Sequence, residues 1–213
     1  SENRGCLEII DDDHNIGVRG DHFSAILSVL NGGLVSYRYG GKEMIEAMPK
    51  PNFWRAPVDN DMGNLMPMRQ GHWKLASMYS APRDPKTGRL IMPVLKRKKH
   101  SAVITYTYTM PTKPVSECQL EYEVFGDGTI ETTLTYKPIK ELGDMPEFGV
   151  MFKYDADYDY IEWYGHGPEE TYEDRNLGAK LGVYHNRVSD NMSKYLVPQE
   201  CGNKTGVRWA KVT

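Results

Sequence analysis

The alternation of apolar and polar side chains predicts a protein built mainly from β-strands. In residues 118–124, and again in residues 130–136, apolar or aromatic side chains recur at alternate positions. Gly126-Asp127-Gly128 separates the two stretches, and glycine supplies the positive φ that a tight turn requires. A period of two gives each strand one buried face and one solvated face. We therefore predict an antiparallel hairpin here.

The same pattern recurs along most of the chain. Apolar runs bounded by turn residues predict further strands at residues 7–10, 16–18, 23–30, 34–39, 91–96, 102–110, 148–154, 160–164 and 207–212. About ten strands at this spacing indicate an all-β fold, a large antiparallel β-sandwich or barrel. Helical spacing over residues 67–80 predicts at most one or two short helices. Residues 50–88 and 165–205 otherwise resemble long loops, and no linker composition divides the chain, so we expect one domain over residues 1–213.

Charge excludes some classes of partner. The chain has 26 Lys and Arg residues against 29 Asp and Glu residues, a net charge of -3. Proteins that bind nucleic acids or membrane surfaces usually carry a basic excess. The basic run at residues 96–100 lacks interleaved aromatic residues and is more typical of a solvated hairpin end. No apolar run approaches the roughly 20 residues that a spanning helix needs. We therefore expect neither nucleic acid nor membrane as a partner.

The sequence does not indicate a metal site. Its three cysteines, Cys6, Cys118 and Cys201, are far apart, which favours free thiols although one disulfide stays open. The histidines are scattered and form no His-x-x-x-His pair. Residues 155–159 resemble the start of a calcium loop, but the later Gly and Glu of that loop are absent. We expect no cofactor to be bound by this chain.

The candidate catalytic pair Glu169-Glu170 does not satisfy the requirements of a glycosidase. A retaining glycosidase needs two carboxyl groups about 5 Å apart on either side of the sugar. Neighbouring residues of an extended segment point in opposite directions. Phosphate loops and Gly-x-Ser-x-Gly elbows are also absent from the sequence. We therefore expect no catalytic residue in this chain.

One polar segment, residues 51–64, looks more specified than an ordinary loop. Its aromatic pair Phe53-Trp54 is suited to anchoring it in a core. Arg55 stands near two aspartates and could form charge-assisted hydrogen bonds with them. Gly63 could act as a hinge or allow a close backbone approach. On the residues alone, an ordinary loop held by two aromatic side chains explains the segment equally well.

A second specified segment covers residues 162–184. An aromatic pair enters a Gly-His-Gly-Pro turn, and Asp174-Arg175 could fix the bend that follows. A purely structural corner is the favoured interpretation of this segment on the residues alone.

Three motifs, in this order and spacing, carry a family resemblance. NFWRAPVDND (residues 52–61), WYGHGPEETYEDR (residues 163–175) and VPQECGNKTGVRW (residues 197–209) resemble the small-chain domain of family 2 β-galactosidases. The resemblance extends from about Cys6 to the end of the chain. It implies a galactose-mutarotase-like β-supersandwich, the last domain of a large glycosidase.

The resemblance also implies an activity for the parent enzyme. Such enzymes hydrolyse terminal β-galactosides by the retaining route, with two Glu residues in a central TIM barrel that this chain does not contain. The small domain would fold against that barrel and form part of the wall of the sugar pocket. The parent family often uses Mg and Na, which are bound mainly elsewhere, and a homo-oligomer is expected. The compartment is not fixed, although the cytoplasm is slightly favoured over the periplasm.

Individual residues follow from the matched motifs. Gly63 corresponds to a hinge-like glycine, and Asn64 begins a mobile flap at the mouth of the pocket. The residues expected to help line the pocket are Asp59, Asn60, Asp61, Glu200 and Asn203. The chain departs from the family at Val58, where Thr or Leu is usual, and at His166, where Arg is usual. The second departure puts any role of the His166 side chain in doubt.

The family's domain continues beyond the equivalent of Thr213. We therefore expect the sandwich to be incomplete at its C-terminal end, with residues 207–212 forming a strand that lacks its hairpin partner. An open edge and a half-covered apolar face favour self-association through that region.

Two other functions stay open at this point. The many Tyr and Trp residues are compatible with an autonomous carbohydrate-binding module, because aromatic rings stack on sugar faces, although they also suit a protein core. A mutarotase-like epimerase is suggested by fold alone, which is a weak warrant. Galactose titration separates the binding module from an inert part of a β-galactosidase.

Overall fold

The computed structural model describes residues 5–192, 195–196 and 199–213. In chain order the elements are β1 (Glu8–Asp11), β2 (Asn15–Arg19), β3 (Phe23–Ser28), β4 (Gly33–Tyr39), β5 (Lys42–Glu43), β6 (Ala47–Asn52), α1 (Asp59–Gly63), α2 (Met66–Arg69), α3 (Gly71–Tyr79), β7 (Val94–Arg97), β8 (Ser101–Met110), β9 (Ser116–Phe125), β10 (Ile130–Tyr136), β11 (Gly149–Lys153), β12 (Tyr160–Gly167), β13 (Lys180–Arg187) and β14 (Trp209–Val212). Short 3-10 helices occupy Lys140–Leu142 and Val188–Asn191.

The all-β class is confirmed. Every strand pairing among the described residues is antiparallel. The described part of the chain has three short α-helices, one more than the sequence led us to expect. None of these helices combines the length and apolarity needed to cross a bilayer.

The described residues form two compact units. The first contains the chain up to Trp54 and then Met68–Tyr154, and the second contains Arg55–Pro67 and Asp155–Thr213. The single-domain arrangement stays a prediction, and each unit is described separately below.

The first unit is an antiparallel β-sandwich. One sheet has the strand order β1-β2-β3-β4-β5 and the other has the order β10-β9-β8-β7. Their apolar faces share one core, which contains Ile16, Val18, Phe23, Ala25, Leu27 and Leu34 from the first sheet and Ile104, Tyr106, Tyr108, Leu120, Tyr122 and Val124 from the second. The hydroxyl of Tyr106 donates across this core to the carbonyl oxygen of Ser28 at 3.1 Å. Such bonds satisfy phenol groups that burial has removed from water.

The predicted hairpin is confirmed as β9 and β10. Its register pairs Val124 with Ile130 and Cys118 with Tyr136, so both alternating rows of apolar residues share one face. The long strand β8 pairs with β9 over ten residue positions. The face opposite the core is rich in Thr and Glu, which explains the alternation in the sequence.

A short sheet and α3 complete the first unit. β6 pairs with β11, and α3 buries Trp73 fully against the core. The indole N–H of Trp73 donates to the carbonyl oxygen of Asp144 at 2.9 Å, and its ring centroid is 6.1 Å from that of Phe53. The helix predicted at residues 67–80 is confirmed in position, but it is divided at Gln70 into α2 and α3.

The second unit is organised around the sheet β13-β12-β14. Trp163 of β12 lies between Tyr184 of β13 and Ala210 of β14 in the register, and its side chain is buried. β13 falls within the stretch that the sequence suggested was a long loop. β14 pairs with β12, a strand distant in sequence, and the expected lack of a hairpin partner for β14 stays a prediction. Self-association through this region stays a prediction.

Candidate functional site

The segment that leads into α1 is fixed by an ion pair. Arg55 binds Asp61 through two hydrogen bonds, from Nη1 to Oδ2 at 2.5 Å and from Nη2 to Oδ1 at 3.2 Å. The backbone N–H of Val58 donates to the same Oδ2 at 2.8 Å. The hydrogen bonds from Arg55, followed by that from Val58, hold the pKa of Asp61 below its ordinary value despite partial burial. The expected contact of Arg55 with Asp61 is thereby confirmed.

The loop of residues 199–205 binds this segment through Glu200. The Glu200 carboxylate accepts a hydrogen bond from the backbone N–H of Ala56 at 3.0 Å. The backbone N–H of Glu200 donates in turn to the carbonyl oxygen of Pro57 at 3.3 Å. Ala56 and Glu200 are 144 positions apart in sequence, so the side chain of Glu200 joins the first and third motifs directly. Val197 and Pro198, which begin the third motif, lie outside the described residues.

A second bond joins the first motif to the second. The side-chain amide of Asn60 donates to Asp174 Oδ2 at 3.2 Å. Asp174 was expected to fix the bend that follows it, and the structure shows its carboxylate bound to Asn60 of α1. The side chain of Asp59 lies outside the described part of the structure.

Glu170 fixes the loop of residues 199–205 from the other side. Its carboxylate accepts hydrogen bonds from the Tyr195 hydroxyl and from the backbone N–H of Gly202, the latter at 2.8 Å. Arg175 donates to the Tyr195 hydroxyl at 3.0 Å, and its guanidinium lies 4.8 Å from the ring centroid of Tyr172. One Glu170 oxygen therefore binds Tyr195 and the other binds the loop of residues 199–205. The expectation that Glu169-Glu170 is not a catalytic pair stays a prediction.

Tyr172 lies in an acidic environment. Burial, followed by the nearby carboxylates of Glu170 and Glu200, raises the pKa of its hydroxyl to about 12. This phenol is therefore neutral at any ordinary pH.

Asn203 is held by backbone contacts. Its side-chain amide donates to the carbonyl oxygen of Thr171 at 3.1 Å, and the Thr171 N–H donates to the Asn203 carbonyl oxygen at 2.8 Å. The buried Thr171 hydroxyl also accepts from the backbone N–H of Thr205 at 2.8 Å. Nδ1 of His166 lies 3.0 Å from the Thr205 hydroxyl, so this histidine takes part in the same network.

The glycine expected to be a hinge ends α1 and is exposed. A Cβ added at Gly63 would meet no heavy atom within 4 Å, and its φ is outside the positive region. None of the described residues of this chain makes the close backbone approach suggested for Gly63. Asn64, the next residue, is also exposed, and its N–H donates to the carbonyl oxygen of Asn60 at 3.2 Å. The flap role of both residues stays a prediction.

Among residues with described side chains, no group of three or more His, Cys, Asp and Glu side chains is arranged to hold a metal ion. The roles of Thr171 and Tyr195 were missed in the sequence. Their hydroxyl contacts lie 34 and 25 positions away, at Thr205 and Glu170, and follow no periodic pattern.

Comparison with known proteins identifies the family of this chain. The family described as Beta galactosidase small chain matches residues 19–213. The chain is 41% identical over 212 residues to a β-galactosidase of Halalkalibacterium halodurans, which covers 98% of this chain and 20% of that protein. It is 36% identical over 202 residues to a β-galactosidase of Streptococcus thermophilus, covering 95% of this chain and 19% of that protein. The chain thus spans about a fifth of the length of these relatives.

The match covers a larger share of a third relative. A protein named β-galactosidase small subunit, from Latilactobacillus sakei, is 31% identical over 218 residues, and the match covers 97% of this chain and 68% of that protein.

Proposed function

Because the chain belongs to the β-galactosidase small-chain family, we propose that it is a non-catalytic part of an enzyme that hydrolyses terminal β-D-galactosides. The two catalytic Glu residues would lie in a TIM-barrel domain outside this chain, which the chain would contact. Any Mg or Na that the enzyme uses would be bound mainly by that other part. The assembled enzyme would be a homo-oligomer.

The contact between Glu200 and residues 56–57 is the observation that carries this proposal. Two hydrogen bonds fix the loop of residues 199–205 onto the segment that precedes the proposed flap. The hydrogen bond from Asn60 to Asp174 brings the second motif, residues 163–175, into the same cluster. Segments far apart in sequence thus form one supported surface, as a wall of a binding pocket requires.

Within this wall the residues would differ in role. Gly63 and Asn64 follow the fixed segment immediately and would move as the flap, closing over the sugar and excluding water. The other expected lining residues are Asp59, Asn60, Asp61, Glu200 and Asn203. Asn60, Asp61, Glu200 and Asn203 already bind neighbouring groups of the chain, so they would act by positioning the wall.

Hydrolysis of o-nitrophenyl β-D-galactoside tests whether this chain is non-catalytic by itself. The purified 213-residue chain should show no turnover, whereas a full-length β-galactosidase that carries it should be active. Turnover by the chain alone, at a rate that scales with its concentration, would refute the proposal. Saturable binding of galactose to the chain alone would instead favour a carbohydrate-binding module.

The variant Glu200→Ala in the full-length enzyme tests the role of the wall. Removing the carboxylate frees the Ala56 N–H, and we expect kcat/KM to fall at least about fivefold, mainly through KM. Glu169→Ala is the matched control, because it also removes one carboxylate, from an exposed position next to Glu170. Equal kinetics for the two variants would contradict the role assigned to Glu200.

A further inference from the structure

The helix α3 has two apolar faces. One buries Trp73 and Ala76 in the core. On the other, Leu75, Met78 and Tyr79 are exposed to 50%, 57% and 62% of their surface, and Met68 of α2 is exposed to 81%. The outer face of a helix in a soluble domain is normally polar. We call the three exposed side chains of α3 the α3 outer face, and exposed apolar side chains on one helix face are typical of a protein interaction site.

A cleft of about 720 Å³ is bordered by the α3 outer face at Leu75. Its other walls come from α2 and α3, from the segment Pro111–Lys113 and from residues 140–144. Nε2 of His72 lies 3.1 Å from the carbonyl oxygen of Leu142, and the Trp73 indole holds the Asp144 carbonyl. These bonds fix both sides of the cleft, so it is formed before any partner binds. It has room for one or two large side chains.

The charges around the cleft are mainly positive. The cations Arg69, Lys113 and Lys140 line it together with the carboxylates of Glu141 and Asp144. This local excess is opposite in sign to the net charge of -3 on the whole chain. A partner segment with carboxylates beside a large apolar side chain would match both the rim and the apolar centre.

The length of the relatives indicates where such a segment comes from. The chain matches only 20% of one β-galactosidase and 19% of another. About four fifths of each of those proteins therefore lies outside the matched part and is joined to it in one polypeptide. We propose that the α3 outer face and its cleft form the docking surface for the catalytic part of the β-galactosidase, and that an acidic segment with one large apolar side chain fills the cleft. This proposal rests on the proposed function.

Methionine oxidation tests the surface without any substitution. Exposed methionines react with hydrogen peroxide to give the sulfoxide, which peptide mass spectrometry locates. Met92 is an internal control, because it is 55% exposed, close to the 57% of Met78, and belongs neither to the α3 outer face nor to the lining of the cleft. In the full-length β-galactosidase that carries this chain, Met78 should oxidise about tenfold more slowly than Met92. In the 213-residue chain alone, the two rates should agree within about threefold.

Three results would overturn the docking surface. One is equal oxidation of Met78 and Met92 in the full-length enzyme. Another is equal protection of both residues there. The third is protection of Met78 in the chain alone that grows with concentration, which would assign the surface to a second copy. If the full-length enzyme is active while Met78 is unprotected, the docking surface fails and the proposed function stands.

Charge substitution provides an independent test. With the two parts supplied as separate polypeptides, Met78→Glu should weaken their association at least about tenfold, because it places a carboxylate on the apolar patch. Met92→Glu should change it less than twofold. Equal affinities for the two variants would overturn the docking surface, and an absence of association with the unsubstituted chain would overturn the proposed function as well.

Discussion

Substitution of Asp61 should loosen the segment that supports the proposed flap. The Asp61 carboxylate accepts two hydrogen bonds from Arg55 and one from the Val58 N–H. The two side chains of the pair are 28% and 18% exposed, so water competes only in part. A hydrogen bond to a charged group contributes about 1.5–3 kcal/mol when well formed. Asp61→Asn keeps one acceptor oxygen but removes the charge, so we expect a local loss of about 1–2 kcal/mol.

Amide hydrogen exchange measures this loss directly. The N–H of Met62 donates to the carbonyl oxygen of Val58 at 3.2 Å and reports on the turn that Asp61 stabilises. Since about 1.4 kcal/mol corresponds to a tenfold change in an equilibrium, its exchange should accelerate about five- to thirtyfold in Asp61→Asn.

Asp84 supplies the matched control. It also accepts three hydrogen bonds in a turn, from the N–H of Lys86 and from the N–H and hydroxyl of Thr87. Asp84→Asn should leave the exchange of the Met62 amide unchanged. Unchanged exchange in Asp61→Asn, or the same acceleration in both variants, would refute the reasoning.

The pH dependence of this turn has a definite sign. The pKa of Asp61 is lowered in the folded chain from its ordinary value of 3.8. A lowered pKa means that the carboxylate stabilises the fold fully above about pH 4 and loses this contribution as pH falls through the folded value. Exchange at Met62, corrected for the intrinsic rate, should therefore be constant from pH 7 to about pH 5 and accelerate only in acid.

Three further predictions concern stability and reactivity. Trp73→Ala should destabilise the first unit by about 3–5 kcal/mol in urea unfolding followed by circular dichroism, because a fully buried indole is lost. Burial raises the pKa of the Cys118 thiol to about 12, so at pH 8 a disulfide reagent should modify the exposed Cys6 within minutes and Cys118 only after unfolding. Gly63→Ala should leave the melting temperature unchanged and alter the catalytic constants of the full-length enzyme, whereas Gly32→Ala should cost about 1–3 kcal/mol because φ is +78° there. Unchanged kinetics in Gly63→Ala would remove the hinge assignment.

The sandwich strands were the most predictable part of the fold. In β9 and β10 the alternation of apolar and polar residues matches the two faces of the sheet, so local sequence determines both type and register. The second unit was harder to predict. β13 contains Leu181 and Val183 at alternate positions, a signal that was available but is interrupted by Gly182.

Other elements lacked a local signal. β6 contains Pro49 and Pro51, which usually argue against a strand, and it forms a sheet of only two strands, where an unpaired edge tolerates proline. α1 is a five-residue helix with the sequence DNDMG, whose residue types are more common in turns. Its stability comes from the contacts of Asp61 and Asn60 with residues elsewhere.

Some members of the candidate site were predictable from the sequence, but their pairings were not. The sequence singled out Glu200, Asp174 and Arg55, but the bonds of Glu200 and Asp174 span 144 and 114 positions. Only the folded backbone brings such residues together. The exposed face of α3 was not foreseen, because spacing in a helix identifies an apolar side chain without showing which side is covered.

The second unit consists of two separate chain segments, which limits where its coding sequence can be divided. Residues 55–67 are encoded before most of the first unit, while the remainder begins at Asp155. A plasmid expressing residues 155–213 alone would produce the carboxylates of Asp174 and Glu200 without the amide groups of Asn60 and Ala56 that they bind. Division of this coding sequence at residue 154 would separate these partners, so the second unit requires both of its coding segments.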